Sequence, residues 1–106
     1  MSNNTDVDME NEINELGLNA PRVTLDAIAE LMKEVEYHFN VIDNTTYCHA
    51  FFRRFSLATE FTACVDPSNF NAELGKKYAK IKTEEAAKDK LFELEGWRLK
   101  CHQEGL

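Results

Sequence analysis

Apolar positions along the chain follow two different periods, and the change between them separates helix from strand. Ile28, Leu31, Met32, Val35 and Phe39 recur every three or four residues, the spacing that gathers side chains on one face of a helix. This predicts an amphipathic helix over about Leu25 to Tyr37, with Glu30, Lys33 and Glu34 on its wet side. Thr24 suits the N-cap, and Asp26 lies in the first turn, where a carboxylate favours the helix dipole. The polar run Asn40 to Thr46 then reads as a turn. Beyond it, β-branched and aromatic residues predict one strand over Thr45 to Arg53 and a second over Phe55 to Val65. Alternation in the second strand sets Phe55, Leu57, Thr59, Phe61 and Ala63 on one face, and Ser56, Ala58, Glu60, Thr62 and Cys64 on the other. The link is short, so the pair is an antiparallel hairpin with its tip at Arg53 to Phe55, although no Asn-Gly or Asp-Gly marks the turn.

Asp66-Pro67 ends the second strand and starts a long helix, since Asp caps free N–H groups and Pro loses nothing at the first helical position. Phe70, Leu74, Tyr78, Ile81, Ala87, Leu91 and Leu94 form its stripe from about Ser68 to Leu94 or Glu95, with a slip near Lys82 to Glu85 that admits a bend. Gly96 is the expected stop, after which Trp97 and Leu99 fold back on the core. The fold class expected is α+β: an N-terminal helix, an antiparallel β-hairpin or three-stranded meander, and a long C-terminal helix. One domain over residues 21–100 is expected between a flexible acidic tail, residues 1–20, with at most a helical turn at Glu10 to Leu16, and a frayed end, residues 101–106. The long helix offers more apolar surface than one hairpin covers, which leaves a homodimer through Tyr78, Ile81 and Leu91 open.

Hydrophobic residues make up 43% of the chain, with seven Phe, three Tyr and one Trp, enough for a packed core despite the charge. The net charge of −7 is unevenly placed. Residues 1–20 hold five acids and no Lys or Arg, whereas residues 45–106 hold ten of the twelve basic side chains against nine acids. A near-neutral folded part gives no general affinity for nucleic acid, which needs clustered positive charge. No run of apolar residues is long enough to span a membrane, and the acidic N-terminus does not resemble a signal peptide. Three cysteines, an odd number, then read as reduced thiols in a cytosol.

Cys48-His49, Cys64, Cys101-His102 and His38 lack the paired spacings of a zinc site, and strand neighbours such as Cys48 and His49 point to opposite faces. Small buried hydrophobes are the expected role of Cys48 and Cys64. Neither Cys48 nor Cys101 has the context of an activated nucleophile, and no Gly-rich phosphate loop is present, so neither cofactor, metal nor catalytic residue is expected. The basic and aromatic cluster of Arg53 and Arg54 among Phe51, Phe52 and Phe55 is the candidate for binding a partner, against the plain reading of a soluble edge turn. Lys76, Lys77 and Lys80 form a basic patch at the start of the long helix. The acidic tail invites a nucleic-acid mimic, but its charges lack the regular spacing of phosphates.

Ala20 to Thr24, Tyr47-Cys48, Thr62 to Cys64, Pro67 to Phe70, Glu73 to Gly75 and Gly96 to Leu99 follow in order a chain of short motifs. On them the sequence, over residues 19–100, resembles the small phage protein family typified by gene 49 of phage N4 and gene 66 of phage Sf6. Two departures stand out: Arg54 and Phe55 take the place of an Asn-Gly hairpin turn, and Glu60-Phe61 that of Gly-Glu. The resemblance implies a phage origin and an accessory role in the infected bacterium, with no catalytic residues to carry over. The expectation is a non-enzymatic protein of the host cytoplasm that binds a host protein, in host takeover or counter-defence, through Arg53, Arg54, Phe55, Glu60 and Phe61. The alternative is a nucleic-acid binder or an acidic nucleic-acid mimic.

Overall fold

A computed structural model describes residues 3–106. Its elements are α1 (Asn3–Glu15), α2 (Leu25–Met32), β1 (Val35–Ile42), β2 (Thr45–Phe52), β3 (Phe55–Ala63), a single 3₁₀ turn (Pro67–Asn69) and α3 (Ala72–Glu104). The strands form one antiparallel meander in the order β1-β2-β3, so the fold is α+β.

Helix α1 occupies much of the stretch expected to be a tail; Met1 and Ser2 lie outside the described residues. Asp6, Glu10 and Ile13, spaced as one helix face, are half-buried, and two of them make the dock. Asp6 pairs with Lys88 at 3.8 Å and Glu10 with Arg22 at 3.4 Å. Glu10 Oε2 also accepts the Leu25 N–H at 3.0 Å, so α1 satisfies an orphan donor at the start of α2. Gly17, at φ 67, closes α1, with the Leu18 N–H on the Ile13 carbonyl and the Gly17 N–H on the Asn14 carbonyl, a Schellman arrangement.

Thr24 caps α2 as expected, its Oγ1 accepting the Ala27 N–H at 3.1 Å. The helix stops at Met32, though, and Val35 to Ile42 is a strand. Val35 and Phe39 satisfy both periods, because Val35, Tyr37, Phe39 and Val41 also alternate; pairing of β1 with β2 along its full length decides for the strand. The expected Asn40 to Thr46 turn shrinks to Asp43-Asn44, with Asp43 at φ 53.

All three helices stay off one face of the sheet. Ile28, Ala50, Leu57, Ala87 and Leu91 form the core, joined by Val23, Leu31, Val35, Tyr37 and Phe52. A bulge opposite Ala50/Phe51 breaks the alternation expected in β3. Leu57 is buried and Ala58 packs on the same core, after which Glu60 and Thr62 share the helix side while Thr59, Phe61 and Ala63 face out.

Asp66 caps the 3₁₀ turn, accepting from the Ser68 N–H at 2.9 Å and the Ser68 hydroxyl at 2.8 Å. These bonds hold its carboxyl below the usual range. The long helix therefore starts at Ala72, not Ser68, with Asn71 Oδ1 capping the Leu74 N–H at 3.0 Å. It runs through Gly96 for 33 residues and stops at Gly105, φ 71, a length of about 50 Å at 1.5 Å per residue. Trp97 stays 61% exposed on it rather than folding back, and the residues expected to fray form its last turn.

The face that α3 buries is not the stripe of large residues. Gly75, Ala79, Thr83, Ala87 and Leu91 are buried, one per four residues, whereas Leu74, Tyr78 and Ile81 are exposed. Small side chains let the helix press onto β2: a β-carbon at Gly75 would lie 2.5 Å from Thr46 Oγ1. Thr83 donates its hydroxyl to the Ala79 carbonyl at 2.7 Å, with the Cys48 carbonyl at 3.3 Å. Of the dimer positions, Leu91 thus belongs to the chain's own core.

Candidate functional site

The turn between β2 and β3 consists of Arg53 at φ 47 and Arg54 at φ 71. Phe55 already pairs with Phe52 as the first residue of β3, so the turn sits one residue earlier than the expected departure at Arg54-Phe55. Positive φ at both central residues is the type I′ hairpin geometry, which matches the strand twist and strongly prefers Asn-Gly. In L-residues with a β-carbon it costs about 1 kcal/mol or more per residue.

Only one of the two arginines has a use among the described residues. Arg53 donates from Nε to Glu34 Oε1 at 3.0 Å and from Nη2 to Glu34 Oε2 at 3.3 Å, with its guanidinium 5.4 Å from the Phe52 ring centre. That exposed pair ties the tip to the corner between α2 and β1, and is worth under about 1 kcal/mol. Arg54 has neither hydrogen bond nor ion pair among the described residues. Phe55 beside it is 58% exposed. Behind them a shallow groove of about 320 Å³ is floored by Leu57, Leu91 and Leu94, with Phe52, Phe55 and Arg98 on its walls. Its charges are nearly balanced, since Arg98 pairs with Glu95 at 2.7 Å.

The remaining expected site residues are dispersed. Phe61 is roughly 20 Å along the strand from Phe55 at 3.3 Å per residue, and Glu60, half-buried on the helix side, points away from it. Lys76 and Lys80 lie over the rings of Phe39 and Tyr37 at 6.0 and 5.1 Å, whereas Lys77 lies over Tyr78 at 5.3 Å. Lys80 also approaches Glu84 at 3.8 Å. The three lysines therefore do not converge. Burial, and after it the charges of Glu84 and Cys48, push the Tyr37 hydroxyl up to about 12. Burial likewise raises the Cys48 thiol, which suits an inert core cysteine.

A second cluster was not anticipated. On the face of the sheet without helices, Tyr47 packs against Phe61 with ring centres 5.8 Å apart and stacks beside His49 at 6.4 Å, and His38 meets Phe51 edge-on at 5.7 Å. His49 is fixed between strands. Nε2 lies 2.6 Å from Asn40 Oδ1, which can only accept, so Nε2 donates there, and Nδ1 lies 2.9 Å from Thr59 Oγ1 on the neighbouring strand. Alternation of Tyr47, His49 and Phe51 was the signal for this face, but without β1 its extent could not be read. Among the described residues no group of three His, Cys, Asp or Glu is placed to hold a metal ion, and no helix is long and apolar enough to cross a membrane.

Fold and surface together define a small α+β domain, a three-stranded meander backed by one long helix, with a strained Arg/aromatic turn at its end. The chain belongs to the phage protein family described by N4 Gp49 and phage Sf6 gene 66, whose family model matches residues 23–102. No curated protein and no solved structure matches it.

Proposed function

We propose that this phage protein is a non-enzymatic accessory factor that binds and modulates a host protein in the cytoplasm of the infected bacterium, in host takeover or counter-defence. The hairpin tip is its contact surface. One observation carries the reading: Arg54 is held at φ 71 with no hydrogen-bond or ion-pair partner among the described residues, next to a 58% exposed Phe55. Backbone strain of this kind persists where surrounding structure enforces it, and it concentrates at functional surfaces. Arginine and an aromatic anchor beside an apolar groove are also the residue types that dominate protein interfaces.

The nucleic-acid alternative draws on one feature, the Tyr47, Phe61 and His49 rings on the open sheet face, since exposed rings stack on bases. The strand residues of that face include Glu36 but no Lys or Arg, so phosphates would find no cation there. Of the acids that suggested a mimic, Asp6 and Glu10 are engaged with Lys88 and Arg22.

Affinity capture from infected-cell lysate with the tagged wild type, Arg54→Glu and Phe55→Ser tests the proposal. A host protein retained by the wild type and lost from both variants supports it. Identical recovery by all three removes the tip as the contact surface. A gel shift with single- and double-stranded DNA and RNA at graded salt, positive for the wild type, would favour the alternative.

A further inference from the structure

We infer that two copies of the chain join edge to edge through β1, antiparallel about a two-fold axis near His38, so that their meanders form one continuous sheet. Three properties of β1 lead there. The first is that the helix layer stops short of it. Helix α3 packs on β2 and β3, and beyond the core contacts of Val35 and Tyr37 the strand leaves Phe39, Val41 and Ile42 at 36%, 46% and 55% exposure. Lys80 stands above Tyr37 and Lys76 above Phe39. A second sheet can therefore approach the exposed part of β1 in plane without meeting α3.

The second is that the sheet's two edges differ. The edge of β3 is blunted by the bulge opposite Ala50/Phe51 and by Lys82, whose Nζ donates to the Phe61 carbonyl at 3.1 Å. The edge of β1 is eight residues of regular strand, VEYHFNVI, with no proline, lysine or bulge. Sequences protect edges with those very devices, and a long regular edge lacking them is a template for pairing.

The third is that β1 complements its own reverse. Antiparallel pairing centred on His38 sets Val35 opposite Val41 of the second copy, Tyr37 opposite Phe39 and Glu36 opposite Asn40. Apolar residues meet on the helix side and polar residues on the open side, and no two acids of the strand face each other. Of the lysines that stand over Tyr37 and Phe39 and so come side by side across the seam, Lys80 has Glu84 at 3.8 Å. Opposed aromatic and aliphatic pairs are the units that stabilise a sheet, and a self-complementary patch is what a two-fold dimer requires.

Sedimentation of the full chain over a wide concentration range tests this, together with Val41→Lys, which points a charge onto the pairing row, and Tyr78→Lys on the exposed flank of α3. The expected result is twice the chain mass for the wild type and Tyr78→Lys, and a single chain mass for Val41→Lys with unchanged circular dichroism. Backbone amides of residues 35–42 should also exchange more slowly as the dimer fills, a measurement that needs no substitution. A wild type that stays monomeric, a dimer that survives Val41→Lys in a folded protein, or one abolished by Tyr78→Lys overturns the inference.

Discussion

Gly75→Ala is the most direct test of how the long helix meets the sheet. In an exposed helix the change should stabilise by about 1 kcal/mol, because alanine has the higher helix propensity. Here the new β-carbon would lie 2.5 Å from Thr46 Oγ1 and 3.2 Å from Thr46 Cβ. Thr46 is wholly buried in the central strand, so the clash cannot be relieved by swinging a loose side chain. Overpacking costs about 1–3 kcal/mol, and a contact this short with a fixed β-carbon belongs at the upper end. Net destabilisation should be about 2 kcal/mol, a fall in Tm of roughly 10 °C for a domain of this size.

The same geometry predicts a rescue. Thr46 Oγ1 is buried without a hydrogen-bond partner among the described residues, an arrangement that costs about 1–3 kcal/mol. Thr46→Ala removes that hydroxyl along with a buried methyl, so its effect should be close to zero. In the double variant the methyl introduced by Gly75→Ala occupies the space that Thr46 vacates, the helix keeps its gain, and stability should equal or exceed the wild type. Urea denaturation followed by circular dichroism for the four proteins gives the coupling energy, expected at about 2–3 kcal/mol. If Gly75→Ala alone raises the midpoint, α3 does not press onto β2 at this point and the small-residue account of the interface is wrong.

Replacing Arg53-Arg54 with Asn-Gly should stabilise the protein by about 1 kcal/mol, the relief of two left-handed residues less the loss of the exposed Arg53–Glu34 pair; thermal melts measure it. If the tip is the contact surface, the same variant loses the captured partner while melting higher. Tyr37 has its folded pKa raised from 10.0 to about 12, so folding favours the neutral phenol. Stability that is intact below pH 10 should decline as pH rises towards 12, and the difference between wild type and Tyr37→Phe in urea midpoints should open across that window. Asp66 is shifted the other way by its bonds to Ser68, so the stability it lends is present above the ordinary aspartate range and lost in acid; Asp66→Asn should narrow the difference in midpoint between neutral and acid pH. Glu10→Ala removes both the Arg22 pair and the acceptor for the Leu25 N–H, and should cost about 1 kcal/mol and speed proteolysis within α1.

The cap of α2, the β2-β3 pair and the phage family could be read from local pattern, because Thr24, the β-branched and aromatic runs of Thr45 to Ala63 and the ordered motifs carry their meaning within a few residues. What escaped was settled by tertiary contact. Val35 to Val41 fits a helix or a strand until β2 is set beside it, and Asp6, Glu10 and Ile13 look like a solvated acidic run until Lys88, Arg22 and the start of α2 give the acids partners. The stripe on α3 misled for a related reason. Burial follows size where a helix can stand off from a sheet, but a helix pressed close to β2 buries Gly75, Ala79 and Thr83 and leaves Tyr78 and Ile81 outside. The tip differs from these cases, because at Arg54 the local rule fails without a compensating contact among the described residues. Arg54 contradicts the turn it occupies, and nothing among the described residues offsets the strain. A folded structure that obeys local preference nearly everywhere keeps its violations where function needs them. On that ground the hairpin tip, more than the larger aromatic face, is where a partner should first be sought, and the Asn-Gly variant separates the two: it relaxes the tip and leaves Tyr47, His49 and Phe61 untouched. Loss of the partner in that variant assigns the contact to the tip, and retention moves it to the sheet.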